Sequence, residues 1–156
     1  MDTNFNSSGL VNDAVKVISE ILTDALENNK IKQFSQVEEN KFTVGFGSSQ
    51  VLITATADEE SKINSIEFSA IVTTGTNLKP ELMELLLKSN TSYETGAFGI
   101  LFDGTIVYKQ ILLTDKLTLL AIARNLEIVG KVADKYDDII VNHFGGKRSI
   151  DVDFEV

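Results

Sequence analysis

The chain contains 156 residues, 43% of them hydrophobic and 24% charged, which is the mixture of one ordinary globular domain. Its formal net charge of −9 argues against sequence-independent nucleic-acid binding and against docking to an anionic membrane surface, since both need clustered Lys and Arg. The chain has no cysteine, which excludes disulfides, thiolate nucleophiles and cysteine-based zinc sites.

The sequence shows neither a targeting segment nor a membrane span, and it predicts one domain with a short segment at each end. The first residues lack both the basic and the apolar segment of a signal peptide, and no apolar run approaches the roughly 18 residues of a membrane span. We therefore expect a cytoplasmic protein. We predict a disordered N-terminus over residues 1–9, a single α+β domain over residues 10–146, and a C-terminal tail or edge strand over residues 147–156.

The first half of the predicted domain contains one helix and three strands. Apolar residues recur at every third or fourth position between residues 9 and 30, which predicts an amphipathic helix. Apolar and polar residues then alternate over residues 40–46, 51–57 and 63–72, with turn-forming residues between these segments. This pattern predicts an antiparallel meander with one buried face.

The second half is predicted to contain a short helix, a β-hairpin and a long helix. Pro80 is the only proline and fits the first turn of the short helix, where no amide donor is needed. The hairpin is predicted over residues 97–113. Helical spacing from about residue 115 to residue 144 predicts the long helix, which would be roughly 45 Å long at 1.5 Å per residue. This length exceeds what one small sheet needs, so it suggests a second copy of the chain.

Glycines in and beside the predicted hairpin are interpreted as structural. Gly99 and Gly104 have the spacing of a phosphate-binding loop, but the Lys and hydroxyl residue that such a loop requires do not follow them. Asp103-Gly104 instead fits a two-residue type I′ turn. Such a turn would pair Gly99 with Tyr108, whose ring would cover the glycine. Gly96 would then mark the start of the strand.

Acidic residues on the long helix suggest a second hypothesis. Asp134, Asp137 and Asp138 lie within two helical turns, and His143 is the only histidine of the chain. These groups could hold a divalent cation or serve a metal-dependent enzyme, but no second acidic motif is predicted to face them. We interpret Asp134 and Asp138, which are four residues apart, as a solvated helix face, and we predict no catalytic, cofactor or metal residue. A small-molecule- or divalent-metal-binding protein stays open as the alternative function.

Apolar residues of the second predicted hairpin strand occur on both of its faces. Val107, Ile111 and Leu113 face away from the other apolar residues of the strand, and a sheet with helices on one face does not need them there. We expect another chain or a bound segment to cover that second face. The candidate protein-interaction surface comprises Ile106, Tyr108, Leu112, Leu119, Ile122, Leu126 and Val129. The structural residues are Gly96, Gly99, Asp103 and Gly104.

The order of the predicted elements, α-β-β-β-α-β-β-α, accompanies the passage LLLKSNTSYETGAFGILFDGTIVYKQIL before the long helix. Together they resemble the type III secretion chaperone-like superfamily, and within it the YbjN-type proteins and an uncharacterised cyanobacterial branch. The features that match are Asn90, Gly96, the hairpin over 97–113, and the helix over 115–144 with VADKYDDII. The resemblance implies a non-enzymatic, dimeric protein that binds another polypeptide. We therefore predict a chaperone-like or regulatory protein-binding module that acts as a homodimer.

Overall fold

The structure is a computed structural model that describes residues 8–152. Within this part of the chain there are three α-helices, α1 (Ser8–Glu27), α2 (Pro80–Asn90) and α3 (Leu119–Phe144). The strands are β1 (Gln33–Glu38), β2 (Lys41–Phe46), β3 (Ser49–Asp58), β4 (Ile63–Thr74), β5 (Ala97–Ile100), β6 (Ile106–Thr114) and β7 (Lys147–Arg148). None of the described helices has the length and hydropathy to cross a lipid bilayer.

The predicted α+β fold is confirmed. A helix, an antiparallel meander, a second helix, a hairpin and a long helix follow one another in the expected order. The meander has four strands rather than three, because β1 precedes the strands that the sequence pattern revealed. Strand β1 is exposed at every position except the half-buried Phe34, so its sequence lacks the apolar alternation of a buried strand.

All strands belong to one antiparallel sheet with the order β1-β2-β3-β4-β6-β5. Strand β7 lies beyond the end of β3 and pairs with Thr73 and Thr74 of β4. Alternate residues of the central strands are fully buried, and they form the inner face on which α1 and α3 pack. These inner-face residues of β3 and β4 are Val51, Ile53, Ala55, Ile66, Phe68, Ala70 and Val72.

The loop of the β5–β6 hairpin is longer than the sequence pattern predicted. The Leu101 N–H donates to the Thr105 carbonyl at 2.9 Å, and the Gly104 N–H donates to the Leu101 carbonyl at 2.9 Å. These two bonds enclose the three loop residues 102–104, with Gly104 in the left-handed region at a φ of 84°. A tight turn followed by a left-handed glycine uses one residue more than a type I′ turn. The predicted two-residue turn is therefore wrong.

The longer loop shifts the register of the hairpin by one residue. Gly99 pairs with Val107, and Tyr108 pairs with Phe98, so the predicted pairing of Gly99 with Tyr108 is wrong. The ring of Tyr108 instead packs over Gly96, where an added Cβ would lie 2.7 Å from the Tyr108 hydroxyl oxygen. Gly96 has a φ of 77°, so both its conformation and its surroundings favour glycine.

The ends of the predicted elements differ slightly from the observed ones. Helix α3 begins at Leu119 rather than near residue 115, because Thr118 is extended and its hydroxyl accepts the Ala121 N–H at 3.1 Å. Of the predicted disordered segment over 1–9, residues 1–7 lie outside the described residues. Of the predicted tail over 147–156, residues 149–151 form a 3-10 helix and residues 153–156 lie outside the described residues.

Candidate functional site

Most of the residues predicted as an interaction surface lie in the core. Five of them are at most 3% exposed because they belong to the inner face of β6 or to the sheet-facing side of α3: Ile106, Tyr108, Ile122, Leu126 and Val129. The predicted surface role is wrong for four of them, Ile106, Tyr108, Ile122 and Val129, whereas Leu126 lines the groove described below. Leu112 is half-buried, and Leu119 is exposed near the start of α3.

The apolar residues that β6 does expose lie on the outer face of the sheet. Ile111 is 56% exposed and Leu113 is 67% exposed, whereas Val107 on the same face is buried. Pairing places Ile111 opposite Glu67 and Leu113 opposite Ser65, so each of these side chains has a polar neighbour on β4. The outer face is consequently a mixed polar and apolar surface, in contrast to the inner face.

Two acidic residues of α3 form hydrogen bonds with Ser48 in the turn between β2 and β3. The Ser48 N–H donates to Asp134 Oδ1 at 2.7 Å, and the Ser48 hydroxyl lies 2.6 Å from the same oxygen. The hydroxyl also lies 2.5 Å from Asp137 Oδ2. The bonds from Ser48 hold the pKa of Asp134 below its ordinary value, whereas burial raises the pKa of Asp137.

One hydroxyl group carries a single proton and so cannot donate to two carboxylates at once. The arrangement is satisfied when Asp137 is protonated and donates to the Ser48 oxygen, while Ser48 donates to the Asp134 carboxylate. Asp137 is fully buried, which favours its neutral form. Asp134 and Asp138, the two aspartates of the predicted solvated face, are exposed, whereas Asp137 lies on the buried side of α3.

The remaining candidate cation ligands also bind protein groups. Asp138 forms an ion pair of 3.1 Å with Arg148, and Arg148 also binds Asp151. His143 contacts the carbonyl oxygen of Ile139 through its Nδ1 at 2.8 Å. Within residues 8–152, no group of three or more His, Cys, Asp or Glu residues is arranged to hold a metal ion. The Asp138–Arg148 ion pair joins α3 to β7, and the His143 contact lies within α3.

A groove of about 390 Å³ lies between α1 and α3 and is called the α1–α3 groove below. Its floor is apolar and its rim carries charges of both signs. Its lining residues are Ile21, Asp24, Ala25, Lys30, Ile31, Phe46, Ala123, Leu126, Glu127 and Lys131. This volume and this combination of an apolar floor with a few polar groups are typical of ligand-binding clefts.

Gly130 of α3 lies against Phe46, which lines this groove. An added Cβ at Gly130 would collide with the ring of Phe46, so the ring lies directly against the helix backbone. Glycine within a helix is unfavourable by about 1 kcal/mol relative to alanine, and such a residue signals a close approach. Gly130 was not identified from the sequence, although a glycine within a strong helical pattern indicates a close packing contact.

The two edges of the sheet differ in how open they are. Strand β1 begins two residues after Ile31 of the α1–α3 groove, and within the described residues it pairs only with β2. Strand β5 is also an edge strand, but the Asn90 side chain occupies its backbone. The Phe98 N–H donates to Asn90 Oδ1 at 2.7 Å, and Asn90 Nδ2 donates to the Phe98 carbonyl at 3.4 Å. Strand addition is therefore easier at β1 than at β5.

Solved structures show the same fold. One is a chain of the crystal structure of the ExsC–ExsE complex, with a TM-score of 0.58 and 18% identity over 81% of this chain and 94% of that chain. Another comes from the HopA1–SchA chaperone–effector complex, with a TM-score of 0.52 and 8% identity over 78% of this chain and 94% of that chain. No curated protein matches the chain.

A protein family described as "T3SS (YopN, CesT) and YbjN peptide-binding chaperone 1" matches residues 12–152, which cover most of the chain. This match confirms the resemblance that the hairpin passage and the order of elements indicated. The chain therefore belongs to this family of peptide-binding chaperones, TY-Chap1.

Proposed function

We propose that this protein is a non-enzymatic, cytoplasmic chaperone-like module that acts as a homodimer and binds a partly unfolded segment of a client polypeptide. The observation that carries the proposal is the position of the apolar α1–α3 groove directly beside the open edge strand β1. The description of the family as peptide-binding supports it. The ExsC–ExsE and HopA1–SchA neighbours, both solved as complexes and the second a chaperone–effector complex, support it further.

The groove and the edge offer two complementary kinds of contact to an extended segment. The edge of β1 offers backbone hydrogen bonds, which are independent of the client's side chains. The groove offers a pocket for an apolar side chain, on a floor that includes Phe46 and Leu126. Asp24 and Glu127 on the rim can pair with client cations, and the net charge of −9 favours a client segment that is basic.

Peptide binding to an α3 variant tests this proposal. Ala123 is half-buried on the groove side of α3, so Ala123→Arg places a long charged side chain in the groove without emptying the core. We would select 15-residue peptides from a random displayed library on the wild-type protein and measure their affinity by fluorescence anisotropy. We expect Ala123→Arg to weaken binding by at least about tenfold, since it blocks an apolar pocket.

The matched control introduces the same residue elsewhere on the same helix. Asn142 is exposed on α3 and does not line the groove, so Asn142→Arg is expected to leave peptide affinity unchanged. Thermal unfolding of both variants checks that the fold is intact. If the library yields no binding peptide, or if Ala123→Arg binds the selected peptides as the wild-type protein does, the groove is not the client site.

A further inference from the structure

Gly130 departs from the local preference of its helix. It is buried within the 26 residues of α3, where alanine would be the more favourable residue. A glycine in the interior of a strong helix has a packing or functional reason. An added Cβ would lie 2.5 Å from Phe46 Cγ and 2.9 Å from Phe46 Cε1. The missing side chain therefore makes room for one particular ring.

Phe46 contacts α3 at Gly130 and also lines the α1–α3 groove. Its side chain is half-buried, at the end of β2. Gly130 lies four residues after Leu126 and three after Glu127, which both line the groove, so it faces the same side of α3. The position of the Phe46 ring against the helix therefore affects the space in the groove.

A side chain at position 130 would force the ring of Phe46 away from α3. Phe42 and Val44 precede Phe46 on the inner face of β2 and are buried in the core. Protein cores are close-packed, so this side offers no room for a displaced ring. The groove is the unfilled volume beside the ring. A displaced ring would move into the groove and make it shallower.

We propose that Gly130 sets the depth of the α1–α3 groove through Phe46, and that this depth selects client segments with an aromatic anchor residue. The groove volume of about 390 Å³ is sufficient for one large side chain. Phe46, Ile21 and Ile31 give it an apolar lining, and pairing of aromatic rings adds to the free energy of burial. The inference rests on the proposed function and names the class of client that the groove binds.

The anchor preference of Gly130→Ala tests this inference. We would take a selected peptide that Ala123→Arg weakens, find its anchor position by alanine scanning, and synthesise it with Trp, Phe or Ala there. Fluorescence anisotropy should show that the wild-type protein prefers Phe over Ala by at least about tenfold. In Gly130→Ala we expect this preference to fall below about threefold, because the displaced ring occupies the space of the anchor.

Phe46→Ala shows whether Gly130 acts through the ring. In this background the added Cβ no longer meets ring atoms, so Gly130→Ala should change the anchor preference by less than about twofold. Phe46→Ala alone deepens the groove, so Trp should gain on Phe by at least about threefold. This second result carries the test if thermal unfolding shows that Gly130→Ala does not fold.

Gly9→Ala is the matched control, because it makes the same substitution in α1. An added Cβ at Gly9 has no atom within 4 Å, so the anchor preference should stay that of the wild-type protein. An anchor preference that Gly9→Ala changes as much as Gly130→Ala would overturn the assigned role of Gly130.

The remaining outcomes separate this inference from the proposed function. Peptides that Ala123→Arg weakens, but whose anchor preference does not change in Gly130→Ala, overturn the inference and leave the client site in place. An equal change with and without the Phe46 ring also overturns it. If no peptide binds, or if Ala123→Arg leaves binding intact, the client site and the inference both fail.

Discussion

Replacing Gly96 by alanine is expected to lower the free energy of unfolding by about 2–4 kcal/mol. The backbone at Gly96 has a φ of 77°, a conformation that is unfavourable for a residue with a Cβ by about 1–2 kcal/mol. The new Cβ would also lie 2.7 Å from the Tyr108 hydroxyl oxygen and 2.8 Å from the Lys109 carbonyl oxygen. The carbonyl belongs to the backbone of β6, which cannot shift without disturbing its pairing with β4.

The control for this variant is Gly99→Ala in the same strand. Gly99 has ordinary backbone angles, and the nearest atom to an added Cβ is 3.7 Å away on Val107. We expect this substitution to change the free energy of unfolding by less than about 1 kcal/mol. A slight gain is expected if the alanine reduces the conformational entropy of the unfolded chain. Urea unfolding measures both variants. Equal losses at the two positions would contradict the observed register and favour the pairing of Gly99 with Tyr108.

Replacing Asp137 by asparagine is expected to stabilise the protein at pH 8 by about 1–3 kcal/mol. The carboxyl group is fully buried, and its pKa is raised by burial and by the neighbouring charges of Asp134 and Asp138. The asparagine amide can donate to the Ser48 oxygen, and its carbonyl can accept the Asp138 N–H that Asp137 Oδ1 accepts at 2.6 Å. The variant therefore keeps both bonds and removes a charge that burial disfavours.

The sign of the pH dependence follows from the raised pKa. The unfolded chain releases the Asp137 proton near its ordinary pKa, while the folded protein retains it to higher pH. Stability from this group is therefore lost as the pH rises from the unfolded pKa to the folded one, at about 1.4 kcal/mol for each unit between them. The advantage of Asp137→Asn should be small near pH 4 and should grow toward pH 8.

Asp138→Asn is the control for the buried substitution. It removes one charge from the same helix turn, but its exposed ion pair with Arg148 contributes about 0–1 kcal/mol. We expect a small loss of stability at neutral pH and no gain. Chemical unfolding at several pH values compares the two variants. If Asp137→Asn destabilises the protein at every pH, then Asp137 is an ionised partner of Ser48 and the protonated arrangement is wrong.

Local patterns were informative wherever one face of an element was buried. Strands β3 and β4 alternate cleanly in the sequence because alternate residues face the helices, so their inner face could be predicted. Strand β1 lacks this alternation because it is an exposed edge, and it was missed. The hairpin itself was predicted correctly from its turn residues, but its register depends on one extra loop residue.

The functional surfaces depend on contacts between residues that are distant in the chain. Ser48 and Asp137 are 89 positions apart, so no spacing in the sequence could indicate that the helix aspartates bind a turn rather than a cation. The same limit explains why buried residues of α3 were predicted to form an interaction surface. Helical spacing identified the apolar side of α3 correctly, but it could not show that the chain's own sheet covers that side.

The sequence by itself determined the type and order of the main elements, the α+β class and the family, because periodicity and turn chemistry act over a few neighbouring residues. Only the tertiary structure decided which apolar residues stay exposed, where the α1–α3 groove lies and which sheet edge is open. Those features are set by side chains such as Phe46 against Gly130 and Asn90 against Phe98, which packing brings together from separate elements. Burial and exposure are properties of the assembled fold, and local sequence patterns do not contain them.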